Sequence, residues 1–167
     1  MCEVIYFSRS GNTKQLATAI AGELDVKARH IRSVESLPEA ETLFLGSGLY
    51  FLRPSKMVRD FIRTNDFRGR KIALFGTSTT GIGIEIWGME RLLKRKGATI
   101  TGKYYCAGKF FIRLAGKYFY MRKDRPASED LEKARSFARS IRNGLYDTQM
   151  VAESQRENRE DRILSRF

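Results

Sequence analysis

Residues 8–13, Ser8-Arg9-Ser10-Gly11-Asn12-Thr13, set three hydroxyls and an amide around a glycine. Side chains of this kind donate hydrogen bonds to an anion, and Gly11 lets the backbone approach one with no Cβ in the way. Arg9 adds a cation. The run stands between an apolar stretch, Val4–Phe7, and a helical pattern that begins at once. The first N–H groups of such a helix have no partner within it and point at whatever precedes it, an arrangement that suits a phosphate. No Lys-Ser/Thr pair completes a Walker-type loop, and the glycine spacing is not that of a dinucleotide fingerprint. The same six residues also fit a plain strand–turn–helix capped by Asn12 or Thr13.

Two more polar, glycine-bearing segments follow apolar runs. Residues 46–54 read Gly-Ser-Gly-Leu-Tyr-Phe-Leu-Arg-Pro, and residues 76–83 read Gly-Thr-Ser-Thr-Thr-Gly-Ile-Gly. Their candidate binding residues are Ser47, Gly48, Leu49, Tyr50 and Phe51, then Thr77, Ser78, Thr79, Thr80 and Gly81. Ordinary core packing is the alternative for Tyr50 and Phe51. Neither segment carries an acid. His30 is the one histidine, and Cys2 and Cys106 have no metal-binding spacing. A multi-histidine metal site is therefore excluded, no residue stands out as a catalyst, and both thiols are expected to be inert.

Ser8–Thr13 matches in full the Ser/Thr-x-Ser/Thr-Gly-x-Thr loop with which the flavodoxin family holds the phosphate of flavin mononucleotide (FMN), and the chain resembles that family. The second segment is similar to its Gly-Ser-Pro-x-Tyr pattern, with Gly48 in place of proline. The ends, Cys106-Ala107-Gly108-Lys109-Phe110 and Arg125 to Leu131, are similar too, so the likeness runs over about residues 2–145. It implies FMN as cofactor, with its phosphate on residues 8–13 and its ring clasped by the two later loops. Leu49, Tyr50 and Phe51 would pack on the ring, and backbone N–H groups of residues 77–81 would meet its edge. It also implies electron transfer as the activity.

The elements that must position these loops follow from periodicity. Strands are expected at Cys2–Phe7, Val26–Ile31, Thr42–Leu45, Lys71–Phe75 and Thr99–Cys106. A first helix buries Leu16, Ala17, Ile20 and Leu24. A second, capped by Ser55, buries Met57, Val58, Phe61 and Ile62, and a third runs over Ile84–Lys96 up to Gly97. A last helix, capped by Ser128, buries Leu131, Ala134, Ala138, Ile141 and Leu145. Strands alternating with helices give an α/β fold with a parallel sheet covered on both faces. The resemblance makes it a three-layer α/β/α sandwich of five strands in the order 2-1-3-4-5. Residues 107–125 read as a loop or an irregular helix lying on the protein. Residues 1–146 form one domain, and 147–167 a charged tail, frayed or disordered.

The chain has 167 residues and a formal net charge of +12. Eleven basic residues lie between Arg91 and Arg125 against Asp124 alone. That points to a partner of opposite sign, the alternative being a solvated face with no partner. An acidic redox protein docking there is one expectation. The other is an anionic membrane surface, since the basic, aromatic Lys109–Arg125 segment resembles that of membrane-associated, quinone-linked protoporphyrinogen dehydrogenase. Nucleic acid is disfavoured, because no recognisable binding motif accompanies the charge. Typical flavodoxins are acidic, so a basic setting implies a flavin of higher potential. The chain has no apolar run long enough to span a bilayer and reads as cytoplasmic, peripheral at most.

Overall fold

A computed structural model describes residues 1–114, 117–121 and 124–144. Five strands form the parallel sheet: β1 (Cys2–Phe7), β2 (Ala28–His30), β3 (Thr42–Tyr50), β5 (Lys71–Ser78) and β6 (Thr99–Ala107). Between β3 and β5 lies a two-residue strand, β4 (Arg53–Pro54), which folds back antiparallel on the end of β3 with Leu49 opposite Pro54. The parallel order is β2-β1-β3-β5-β6. Setting β4 aside, this is the expected 2-1-3-4-5. The helices are α1 (Asn12–Leu24), α2 (Lys56–Thr64), α3 (Ile84–Arg95) and α4 (Ser128–Arg142).

Alternation along the strands sorts their side chains into two cores. Val4, Tyr6, Phe44, Ala73 and Phe75 face α1 and α4, where they meet Leu16, Ile20, Phe137 and Ala138. Ile5, Leu45, Ile72 and Leu74 face α2 and α3, where they meet Val58, Ile62, Ile86, Met89 and Leu93. Burial on both faces explains why these strands read as continuous apolar runs. Gly46 lies in register between Tyr6 and Phe75. The Phe75 ring fills the space where a Cβ at Gly46 would go.

Three expectations change. Within 107–125, expected as a loop or an irregular helix, the described residues Phe110–Leu114 (β7) and Lys117–Met121 (β8) are instead strands that pair antiparallel. The signal was in the sequence, two five-residue β-prone runs separated by Ala115-Gly116. The cap of α4 is Ala127, with Ser128 already helical. No side chain caps the first-turn N–H groups; instead the Asp130 carboxylate reaches back and accepts from the Ala127 N–H at 2.7 Å while it pairs with Arg125 at 2.9 Å. Strand β2 is three residues long, shorter than Val26–Ile31: the Val26 N–H still bonds to the Ala21 carbonyl at the end of α1, and a 3₁₀ turn takes over at Ile31. Leu145 and the 147–167 tail lie outside the described residues.

Candidate functional site

The three polar segments come together at the carboxyl ends of the central strands, where open α/β sheets hold ligands. Residues 8–13 lead from β1 into α1. Gly11 is the cap residue, with φ 88°, and no side chain caps the helix behind it. Nothing lies within 4 Å of where its Cβ would stand, and the first turn of α1 holds no acidic residue. The positive end of the helix is thus open and uncompensated, a fit for a phosphate. Ser8 Oγ accepts from the Gly11 N–H at 3.1 Å and shapes the turn. Arg9 and Ser10 are exposed at its rim.

Asn12 and Thr13 are buried and serve differently. Asn12 Nδ2 donates to the carbonyl of Lys109 at 2.8 Å, tying this loop to the chain just before β7. Its Oδ1 is buried and has no hydrogen-bond partner. A Cβ on Gly108 would stand 2.5 Å from Asn12 Nδ2, so a glycine there makes room for the tie. Thr13 Oγ1 and Thr77 Oγ1 lie 2.8 Å apart, both buried, and join the first loop to the third.

The second loop is the end of β3, its turn and β4. Ser47 is fully buried and its hydroxyl is engaged within the loop, accepting from the Ser55 N–H at 2.9 Å and donating to the Gly48 carbonyl at 2.8 Å. Gly48 lies under the Tyr50 ring, 3.2 Å from where its Cβ would be. Tyr50 is half-buried, its ring edge-on to Phe7 at 5.9 Å. Its hydroxyl accepts from the Arg9 N–H at 2.9 Å. Burial pushes its pKa up against the pull of that bond, so it stays a neutral phenol. Leu49 pairs with Pro54. Phe51 stands at the tip, 96% exposed, so it is no core residue. Phe51 and Leu52 both have positive φ, 49° and 60°. Two bulky side chains in the left-handed region are strained, and such strain gathers at functional loops.

In the third loop, Ser78 Oγ accepts from the Gly81 N–H at 2.9 Å. Gly81 has φ 67° and packs against Ala107, 3.2 Å from its backbone nitrogen measured from a would-be Cβ. Thr79 is half-buried and Thr80 exposed. One residue escaped the sequence reading. Glu85, two positions past the loop, has no exposed surface. Neither carboxylate oxygen has a hydrogen-bond partner of good geometry. Burial pushes its pKa up to about 7, only its own backbone N–H pulling the other way. Glu85 sits directly under Gly76, where a Cβ would stand 2.8 Å from its Cγ and Oε1 and 2.9 Å from the Ser47 carbonyl oxygen.

His30 ends the edge strand β2, and Tyr6 and Phe7 pack on its ring at 5.5 Å. Cys106 is buried, and burial raises its thiol pKa, which keeps it unreactive. Among the described residues no group of His, Cys, Asp or Glu is placed to hold a metal ion. No helix among them is long and apolar enough to cross a membrane.

Known proteins share this fold. A family model described as a Flavodoxin domain matches residues 3–143. An uncharacterised protein of Methanocaldococcus jannaschii is 28% identical over 134 residues, covering 78% of this chain and 89% of its own. Among solved structures, oxidised Flavodoxin 1 from Bacillus cereus superposes with a TM-score of 0.65 at 21% identity, covering 87% of this chain and 99% of that one. The Fusobacterium nucleatum flavodoxin bound to flavin mononucleotide gives 0.64 at 15%, with 87% and 98% covered. With the sheet order, the open α1 terminus and the three converging loops, the match over residues 3–143 places this chain in the flavodoxin family, whose cofactor is FMN.

Proposed function

We propose that this protein binds FMN and transfers electrons through it. The observation that carries the reading is the open N-terminus of α1, capped by Gly11 with no side chain in the way. The first-turn N–H groups would hold the phosphate, with the Ser8 and Ser10 hydroxyls beside them and Arg9 supplying positive charge. Asn12 and Thr13 support that cradle by holding its neighbours. Tyr50 and Leu49 would border the ring on one side, and backbone N–H groups of residues 77–81 would meet its polar edge. Bound FMN supplies the reversible acceptance of electrons; the chain's own residues bind it, orient it and set its surroundings. The test is direct: purified protein should be yellow or take up added FMN with flavin fluorescence quenched. A colourless protein that takes up none would end this reading.

The surroundings also favour a higher potential than that of an acidic flavodoxin. The second and third loops hold no acid, and Arg9 and Arg53 are exposed at the rim. A cation near the ring stabilises its reduced, negative form. A potentiometric titration that gives the very low potential of an acidic flavodoxin would refute this.

For docking, residues 91–125 offer positive charge to an acidic redox protein. Not all of it is available: Lys94 and Lys103 pair with Glu90 at 2.8 and 2.9 Å, and Arg125 with Asp130. A second reading keeps the flavin and changes the partner, to a membrane-associated, quinone-linked dehydrogenase on anionic lipid. It is favoured by the exposed Phe51, Leu52, Trp87 and Phe110, since rings and aliphatic tips with cations around them suit a headgroup boundary. Co-sedimentation of the full chain with phosphatidylserine liposomes separates the two. Salt-sensitive binding lost on removing 109–125 selects the membrane, and no binding selects the protein partner.

A further inference from the structure

The Glu85 carboxyl has no role in the fold that a neutral side chain would not serve better. It forms no ion pair and no side-chain hydrogen bond among the described residues. Burying an unpaired carboxylate is costly, and replacing such a group by an apolar one of similar size is commonly neutral or stabilising. Yet the fold makes room for it. Gly76 is the β5 residue directly above, and any larger residue would collide with Glu85 and with the Ser47 carbonyl. Ser47 and Gly76 are paired in register within β3 and β5, one residue before Gly48 and Thr77 of the two segments proposed to clasp the flavin ring. We infer that Glu85 is the proton store of the flavin site, taking up a proton when the cofactor is reduced and releasing it on reoxidation.

The inference rests on the FMN reading. The balance is simple. A one-electron donor protein delivers an electron to the bound flavin, and the Glu85 carboxylate takes one proton from water to become a carboxylic acid. The added negative charge is cancelled within the site. On reoxidation the electron leaves to an acceptor protein and the proton returns to solvent. The physical cause is mutual repulsion of like charges in a region of low dielectric: negative charge on the cofactor raises the affinity of Glu85 for a proton, and the proton raises the affinity of the cofactor for an electron.

Other ionisable groups leave Glu85 free to respond. α3 packs against β3, β4, β5, β6 and α2. At the carboxyl end of the sheet these bring Arg53 on β4, Arg59 on α2, and Tyr105 and Cys106 on β6; β3 and β5 bring only Ser47, Gly76 and hydroxyls. Cys106 feels the charge of Glu85, and its thiol is held neutral chiefly by burial. On α3 itself, Glu90 is paired with Lys94 and Lys103. With no cation fixed on it and burial alone holding its pKa near 7, Glu85 titrates in the range where a small change in local charge moves its proton.

The experiment uses the full chain loaded with FMN. Infrared difference spectra, reduced minus oxidised, are recorded at pH 7.5 for wild type and Glu85→Gln, and midpoint potentials are measured between pH 6 and 9. Wild type should gain a protonated-carboxyl C=O band on reduction, absent in Glu85→Gln. Its potential should fall more steeply with pH than that of the variant, by up to tenfold in the reduction equilibrium per pH unit, about 59 mV per electron. The flavin's own protonation is common to both and cancels in the comparison. Superimposable slopes with no carboxyl band in wild type overturn the inference while leaving the FMN reading intact. Failure to bind FMN at all overturns both. The wild-type band needs no variant, so a Glu85→Gln chain that folds poorly does not shelter the idea.

Discussion

The phenolic oxygen of Tyr50 accepts a hydrogen bond from the backbone N–H of Arg9 at 2.9 Å. One residue lies in the loop proposed for the phosphate, the other in a loop proposed for the ring, so the bond fixes the distance between the two ends of the cofactor site before any cofactor arrives. Removing the hydroxyl with Tyr50→Phe keeps the ring on Phe7 and loses only the tie. The net worth of such a bond is about 1 kcal/mol, and FMN affinity should fall by about fivefold. Fluorescence-quenching titration measures it, and unchanged affinity would mean that the loops hold their spacing without it.

Ser10→Glu places a carboxylate at the mouth of the uncapped helix. It should suit the positive end of α1 and leave thermal stability at or above wild type. It should also repel a phosphate and weaken FMN binding at least a hundredfold. Calorimetric titration with FMN beside a thermal melt reads both. Retained affinity in a folded variant would mean that the phosphate sits elsewhere.

Glu85 also shapes stability. Its folded-state pKa, about 7, is raised from an ordinary value of 4.5, so the native state binds this proton more tightly than the unfolded chain does. The resulting contribution is fully present below pH 4.5 and is lost as pH rises through 7, on the order of 3 kcal/mol in all. Glu85→Gln cannot ionise. Urea denaturation of the FMN-free protein at pH 5 and pH 8 should therefore find the variant relatively more stable than wild type at pH 8. Equal pH dependence in both chains would show that Glu85 is partnered in solution.

The turn between β3 and β4 gives a fourth prediction. Two-residue hairpin turns with both φ positive favour Asn-Gly, and here they hold Phe51 and Leu52. Phe51→Asn with Leu52→Gly should raise stability by about 1–2 kcal/mol through relief of left-handed strain. The same change removes the exposed ring and aliphatic tip, and should weaken association with whichever partner the basic face meets. A more stable protein with undiminished partner binding would show that the tip is not a contact.

Sequence reasoning reached the parallel sheet because strands buried on both faces, such as Leu43–Leu45 and Ile72–Phe75, are apolar at every position. It singles out the first loop because Gly11 and its hydroxyl neighbours stand at a strand–helix junction, where their types suit an anion. Ser47 was visible as a loop residue, but not its hydrogen bonds to Ser55 and Gly48, which depend on β4 folding back. Asn12 and Thr13 stand out in the sequence as candidate binding residues, but their side-chain partners, Lys109 and Thr77, are 97 and 64 positions away, and no local pattern encodes such pairings. Glu85 was passed over because a glutamate in the first turn of a helix is an ordinary solvent-facing choice. Its burial follows from the absence of a side chain at Gly76, nine positions earlier on another element.

The tie from Asn12 to the Lys109 carbonyl carries a thermodynamic consequence. The Asn12 amide, in the loop proposed for the phosphate, is held by the peptide unit that leads into β7. A ligand settling on the helix terminus and a partner leaning on the β7–β8 pair would act on the same hydrogen bond from opposite sides. Each would then alter the other's binding by an identical factor, making the cofactor's grip a gauge of what the β7–β8 pair touches.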